Sequence, residues 1–366
     1  MHILSRSILY ENPLPQLESR QSMFPSLLEL DDGSILATHV IGEAFESVNS
    51  TTCLSISHDG GSTFSFMGPL FKKQPLPRHS DCCKLSRLQD GRLCAFGYAY
   101  DRKDPALPVG NPKTGGLLED KLFVAYSHDE GKSFSSPQLI DCAWGPHVEA
   151  SAPLYPLKNG SLVSPITGFA SWEGRMVARN CGRLLRSDDH GKTFSDDAVC
   201  MAFDGDEISC FEQRLCELDD GTLVVIGWNE HLKTGELFAN HYTLSSDGGK
   251  TFCAPRSTGV FGQASSVFAL GATRLLALHA MRRNAARPGI YAYVVDLAKE
   301  SWEIEEELLI FEPQTPIVRA DAMADIFAYL RFGQPSAIRL RNGSILCCYW
   351  AQENGQYTTN TVLLEL

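Results

Sequence analysis

No stretch of this chain is apolar for long enough to cross a membrane. Met1–Tyr10 lacks the basic start and apolar run of a secretory leader and reads instead as a strand. Positive charge is scarce: 32 Lys and Arg stand against 44 Asp and Glu, a formal net charge of −12. That makes nucleic acid and anionic membrane surfaces poor partners. Metal-type spacing is lacking too. The 12 cysteines include no Cys-x-x-Cys and no zinc pattern, so no metal or other cofactor is expected. Cys82 and Cys83, like Cys347 and Cys348, are adjacent in strand-like runs, where neighbours point to opposite faces. They read as small buried hydrophobes rather than a disulfide framework. These absences indicate a reduced, cytoplasmic protein without a membrane or nucleic-acid partner.

What the chain has is repetition. The eight residues Ser57–Phe64 (Ser-His-Asp-Gly-Gly-Ser-Thr-Phe) return as Ser127–Phe134, Ser187–Phe194 and Ser245–Phe252, sharing Ser-x-Asp-x-Gly-x-(Ser/Thr)-Phe. Each copy reads as a tight turn. The aspartates Asp59, Asp129, Asp189 and Asp247 accept hydrogen bonds from their own loop, the glycine supplies positive φ, and the phenylalanine seats the turn on a sheet.

A second repeat, apolar strand, Gly-containing turn, apolar strand, has its turn glycines at Gly33, Gly91, Gly160, Gly221, Gly271 and Gly343. Asp-Gly or Asn-Gly between strand patterns signals a hairpin. Each unit thus holds two hairpins in fixed order, enough for four strands. Six units predict an all-β fold, a six-bladed β-propeller of four-stranded antiparallel blades spanning 1–366 as one domain. Blade five lacks the eight-residue turn, and Ile290–Leu297 with Trp302 is its degenerate remnant. Ile3–Tyr10 is expected to pair with Tyr357–Leu366 and close the ring, which removes free sheet edges. Tyr100–Glu119 reads as a long surface loop. Within 316–333, the run 319–330 has the pattern of a short helix.

These turns and their spacing resemble the sialidase superfamily, whose six-bladed propellers carry Asp-box (BNR) turns. The resemblance covers nearly the whole chain and implies a glycoside hydrolase that trims terminal sugars. It also implies three arginines that grip a substrate carboxylate, a Tyr nucleophile paired with a Glu, and an acidic proton donor. Glu212 matches the Glu of blade four, and Arg287 falls where the third arginine is expected. Met23 and Trp228 stand where the other two arginines belong, and Pro335 stands at the Tyr. Glu43 and Glu46 lie on the blade-one loop where the acid should be. One arginine in place of three loses several charge-assisted hydrogen bonds to a carboxylate, so sialic acid is not the expected substrate.

In a propeller, the residues that begin the innermost strands share one mouth. Asp81, Glu149 and Glu212 begin consecutive blades and are the candidate catalytic carboxylates, since glycoside hydrolysis uses two of them and close approach raises one pKa. Arg78, His79, His147, Trp228, His279, Arg287 and Trp350 are the candidate substrate-binding residues, the tryptophans as platforms for sugar faces. The expected function is therefore a glycosidase of sialidase-like fold that removes a terminal, non-sialic sugar, acidic sugars included. The histidines leave open a lyase acting on a uronic-acid polymer. Blade repeats are also reused for recognition alone, which leaves open a non-catalytic sugar-binding propeller.

Overall fold

The computed structural model describes the chain except residues 73–75, 77–78, 177–178, 284, 300 and 315–329. The expected helix at 319–330 and the candidate Arg78 therefore lie outside the described residues, apart from Leu330. Among the described residues there is no helix long and apolar enough to cross a membrane.

Six antiparallel sheets follow one another along the chain and make a six-bladed β-propeller. Blade one runs Gln21–Glu29, Ile35–Gly42, Thr51–Ser57 and Ser65–Pro69 from the inside outward. Blade two runs His79–Arg87, Leu93–Asp101, Asp120–Ser127 and Gln138–Ile140. In blade three the inner strand is in two pieces, Val148–Glu149 and Tyr155–Pro156, both paired to Leu162–Gly168; Gly182–Ser187 and Ser195–Met201 complete it. Blade four holds Phe211–Glu217, Leu223–Trp228, His241–Ser245 and Arg256–Ser257. Blade five holds Ser265–Gly271, Arg274–Met281, Gly289–Asp296 and Glu303–Phe311. Blade six holds Phe332–Arg339, Ile345–Glu353 and Gln356–Glu365, and its outermost strand is His2–Tyr10, paired antiparallel with Gln356–Glu365.

The core is not one mass. It is a series of apolar slabs, each between neighbouring blades. Phe96 and Val124 of blade two meet Leu162 and Ile166 of blade three. Leu276 and Ile290 of blade five meet Phe332 and Val362 of blade six. Leu9 and Tyr10, from the first strand, join Leu27 and Ile35 of blade one. The alternation of each strand places one set of side chains in the slab on one side and the other set in the next slab.

The four repeated turns fasten this arrangement. In each, the Ser hydroxyl donates to the Asp carboxylate, and that carboxylate also accepts the amide and hydroxyl of the Thr or Ser four residues on. The turn glycine has both positive φ and no room for a side chain. A Cβ at Gly61 would sit 2.7 Å from Leu346 of blade six, and one at Gly131 would sit 2.5 Å from Leu36 of blade one. Each turn is thus a clip onto the preceding blade. The twelve thiols are free, and all but Cys142 and Cys253 are fully buried.

Candidate active site

One backbone device builds the mouth. Phe24, Glu212, Ala264 and Gln334 have positive φ, and they hold the same place in their blades. Each lies three residues before an inner-strand residue paired in the same register: Leu27 with Ala37, Leu215 with Val225, Val267 with Ala277, Ala337 with Cys347. A side-chain-bearing residue in the left-handed region costs on the order of 1–3 kcal/mol and persists only where its surroundings fix it. The ladder breaks register at three of these places, in blades one, four and six. Blade five offers only the Ala264 methyl, while Gln334 of blade six reaches Glu212 of blade four. Its Nε2 donates to Oε1 at 2.6 Å.

Glu212 is held at every polar atom. The Trp228 indole donates to Oε2 at 2.8 Å, and the Glu212 amide donates to Oε2 of Glu149 at 3.0 Å. Glu149 also accepts the Ser151 amide at 2.7 Å. Burial, and then the nearby Glu212 charge, raise the Glu149 pKa above the usual carboxylate range, with Arg214 pulling the other way. Two glutamates of neighbouring blades therefore stand side by side in unlike settings: Glu212 accepts hydrogen bonds from two side chains, and the Glu149 carboxyl holds its proton more tightly than an ordinary one.

The walls are specific. Tyr98 and Tyr100 meet edge to face at 5.1 Å between ring centroids. Burial is the main cause that lifts both hydroxyls well above their ordinary pKa, and the charge of Glu149 adds to it. Both phenols are O–H donors at neutral pH. Glu46, on the blade-one loop, is also raised by burial, with Arg102 opposing. Arg282 is pushed down to about 10, first by burial, with the Glu212 charge opposing; it remains a cation at neutral pH. Arg283 pairs with the buried Glu230 and lies over the Trp228 ring, 5.7 Å from its centroid. Beneath lies an aromatic floor: Trp350, 1% exposed, packs against Phe45 and Tyr357 at 5.4 and 5.6 Å. Lys84 and Arg214 fill the interior beside the mouth, Lys84 donating to the Phe24 carbonyl and Arg214 to the Ser151 hydroxyl.

The structure joins Glu149, Glu212 and Trp228 through hydrogen bonds, encloses Trp350 against Phe24 and Phe45, and gives the other described candidates separate settings. Asp81 is buried and accepts the Thr52 amide at 2.9 Å and the Thr51 hydroxyl at 3.0 Å, joining blade two to blade one. His147 is buried with Nδ1 3.4 Å from the Leu118 carbonyl. His79 is half-buried and sits opposite Asp101 in the ladder. His279 has no exposed surface; it packs against Tyr293 and Trp302 at 5.5 and 6.4 Å, and burial lowers its pKa to about 3. A ring so enclosed does not meet a solute at the mouth. Arg287 is exposed and forms a two-pronged pair with Glu312 at 2.6 and 2.8 Å. The arginine electrostatically coupled to Glu212 is Arg282, five residues earlier. Tyr98, Lys84, Arg214 and Arg283 were not singled out by sequence reasoning. Tyr98 had a signal: it shares a strand face with Tyr100 by simple alternation. Among the described residues, no group of His, Cys, Asp and Glu is arranged to hold a metal ion.

No protein-family model matches the chain, and no curated protein matches it in sequence. Its fold does match solved structures. A protein of unknown function from Dyadobacter fermentans is 21% identical with a TM-score of 0.76, covering 100% of this chain and 99% of that one. The Hadza microbial sialidase Hz136 is 16% identical with a TM-score of 0.65, covering 94% of this chain and 66% of that one. The Penicillium chrysogenum α-L-arabinanase, complexed with arabinobiose, is 12% identical with a TM-score of 0.63, covering 100% and 99%. The chain thus has the six-bladed propeller fold that sialidases and an arabinanase also have.

Proposed function

We propose that this protein is a glycoside hydrolase that removes a terminal, non-sialic sugar, with Glu149 as proton donor and Glu212 as its partner carboxylate. The observation that carries this reading is the hydrogen bond from the Glu212 amide to Glu149 Oε2 at 3.0 Å, which ties the two glutamates of neighbouring blades together. A carboxyl that holds its proton more tightly than usual, next to a second carboxyl group, can supply the acid of such a reaction. The glycosidic C–O bond breaks, its oxygen takes the Glu149 proton, and Glu212 stabilises the positive charge that develops on the sugar. Water adds its hydroxyl to the sugar carbon and gives its remaining proton to the carboxylate pair, which restores the Glu149 acid.

One feature argues against a sialic acid. Arg283 is committed to Glu230 and Arg214 to Ser151, which leaves Arg282 as the described mouth arginine closest to free duty. One solved structure of this fold is an arabinanase complexed with arabinobiose. A neutral terminal sugar of the arabinosyl kind is therefore the first substrate to test. Phe24 and Phe45, half-buried and edge-to-face at 5.4 Å, offer apolar surface for its C–H face, and the Tyr98 and Tyr100 hydroxyls offer donors.

The experiment is a panel of aryl glycosides and oligosaccharides carrying terminal arabinosyl, galactosyl and glucuronyl units. Wild type releases sugar from at least one, and Glu212→Gln and Glu149→Gln each lose about 10²–10⁴-fold in rate. No release from any substrate, or undiminished release by Glu212→Gln, counts against the proposal; binding without turnover would favour a recognition role.

A further inference from the structure

A cavity of about 620 Å³ opens outward of the mouth, between blade six and blade one. Small-molecule sites typically measure about 300–1,000 Å³. Its walls place it on the same face as the mouth. Tyr10 ends the outermost strand of blade six, Gly42 ends the second strand of blade one, Thr51 begins the third, and Pro69 ends the fourth. In the ladder Gly42 pairs with Gln21, the residue that begins the inner strand on the mouth side.

The chemistry of the cavity is that of a neutral polyol receptor. Phe66 is 46% exposed, and its ring lies 5.2 Å from that of Tyr10, which gives an apolar patch. The Tyr10 residue is 7% exposed, and its hydroxyl makes no hydrogen bond of ordinary geometry within the protein. It lies beside the Arg20 guanidinium, a donor, so the phenolic proton has no acceptor. A buried hydroxyl that accepts from a guanidinium but has no acceptor for its own proton is left half satisfied. Arg20 itself is paired with Glu18, and Glu43 adds a second carboxylate to the wall, which disfavours an anion.

The cavity also shares a wall with the mouth. Glu43 and Asn49 line the cavity and are tied together, the Asn49 carbonyl accepting the Glu43 amide at 3.2 Å. Between them in the same loop, Phe45 packs on Trp350 in the mouth, and Glu46 carries the raised carboxyl. We infer that this cavity is a second sugar subsite, taking an internal unit of a neutral oligosaccharide whose terminal unit lies in the mouth. The inference rests on reading the mouth as a carbohydrate site. Occupancy of the cavity holds the loop 43–50 from outside while the terminal unit holds it from inside.

The test uses the full chain carrying Glu212→Gln to stop turnover, with oligosaccharides of two to six units from arabinan, galactan and xylan as probes. Binding is read by titration calorimetry and by saturation-transfer NMR. Affinity rises with chain length for at least one series. Phe66→Ala then weakens the longer members by roughly tenfold, and Tyr10→Phe, which keeps the ring, by about fivefold, while binding of the two-unit sugars is unchanged. Thermal melting checks that both variants fold, and Tyr10→Phe carries the test if Phe66→Ala does not. Equal affinity for all lengths, affinity indifferent to both substitutions, or no binding of any series overturns the subsite. The two readings fail separately. If wild type releases no sugar while the cavity variants still lose long-chain binding, the hydrolase falls and the subsite stands. If hydrolysis of long chains ignores both substitutions, the subsite falls and the hydrolase stands.

Discussion

Replacing His279 by Leu should flatten the dependence of stability on pH without harming the fold at neutral pH. The ring is fully buried, neither nitrogen has a hydrogen-bond partner in the structure, and burial lowers its pKa from 6.5 to about 3. A histidine whose folded pKa is depressed contributes stability that is fully present above the unfolded value and is lost as pH falls toward the folded value. The window is therefore about pH 6.5 down to about 3. Within it the unfolded chain binds one more proton at this site, which is worth about 1.4 kcal/mol per pH unit, or roughly 2–3 kcal/mol between pH 6.5 and 4.5. His39, likewise buried and lowered to about 3, acts in the same direction. Glu149, Glu46 and Asp120 act oppositely: their folded pKa values are raised, so the stability they contribute is present at low pH and lost as pH rises through those values. The wild-type curve is a sum of these effects, and the difference between wild type and His279→Leu isolates the ring.

The assay is urea unfolding followed by tryptophan fluorescence at pH 7.5, 6.5, 5.5 and 4.5. At pH 7.5 the variant should lie within about 1 kcal/mol of wild type, since two unpartnered nitrogens are removed at the cost of an imperfect fit beside Gly262. Its advantage should then grow steadily toward pH 4.5. Parallel curves for the two proteins across that range would refute the burial argument. Sugar release by the variant, measured at pH 7.5, should be unchanged; a large loss there would instead return His279 to the site.

Other outcomes follow from the same geometry. Trp228→Phe keeps the ring packing against Phe211 at 4.9 Å but deletes the indole donor to Glu212; a hydrogen bond to a charged group is worth about 1.5–3 kcal/mol, so kcat/KM should fall roughly ten- to a hundredfold. Activity that needs the Glu149 proton should decline as pH rises through the raised pKa of that residue, and Glu149→Gln should abolish this alkaline limb along with most of the rate. Asp129 is held down at about 2 by hydrogen bonds from Ser133. The stability it contributes is present above the ordinary carboxylate value and lost as pH falls toward 2, so Asp129→Asn should lower the melting temperature at pH 6 and narrow the gap to wild type at pH 2.5.

The blades were legible because their signals are local. An Asp-Gly turn or the eight-residue Ser-x-Asp-x-Gly turn fixes its own hairpin whatever surrounds it, and repetition at intervals of one blade supplies the rest. Even blade five, without that eight-residue turn, kept the apolar run that became Gly289–Asp296. The division of the inner strand of blade three was not legible, because residues 150–154 look no different from their counterparts. The mouth was legible only in part. Alternation tells which strand residues share a face, but four non-glycine residues with positive φ reset that alternation where the inner strands begin. Nothing in Phe24, Glu212, Ala264 or Gln334 as residue types announces such a backbone. Glu212 was singled out through the resemblance, by its setting before a hairpin turn, and the structure places it beside Glu149. Asp81 and His279 were misplaced because nearness to a strand end says little about whether a side chain faces the opening or the neighbouring blade.

The pairing of His2–Tyr10 with Gln356–Glu365 sets an order on the birth of the molecule. On the ribosome, the first strand emerges more than 300 residues before its partner, and until then its backbone donors and acceptors have only water or a chaperone. The slab that Leu9 and Tyr10 share with Ile35 and Leu346 must likewise wait for both ends. Contacts this remote in sequence slow folding, so the whole wheel locks only once Gln356–Glu365 has been made. Deleting Gln356–Glu365 should release His2–Tyr10 to proteases first.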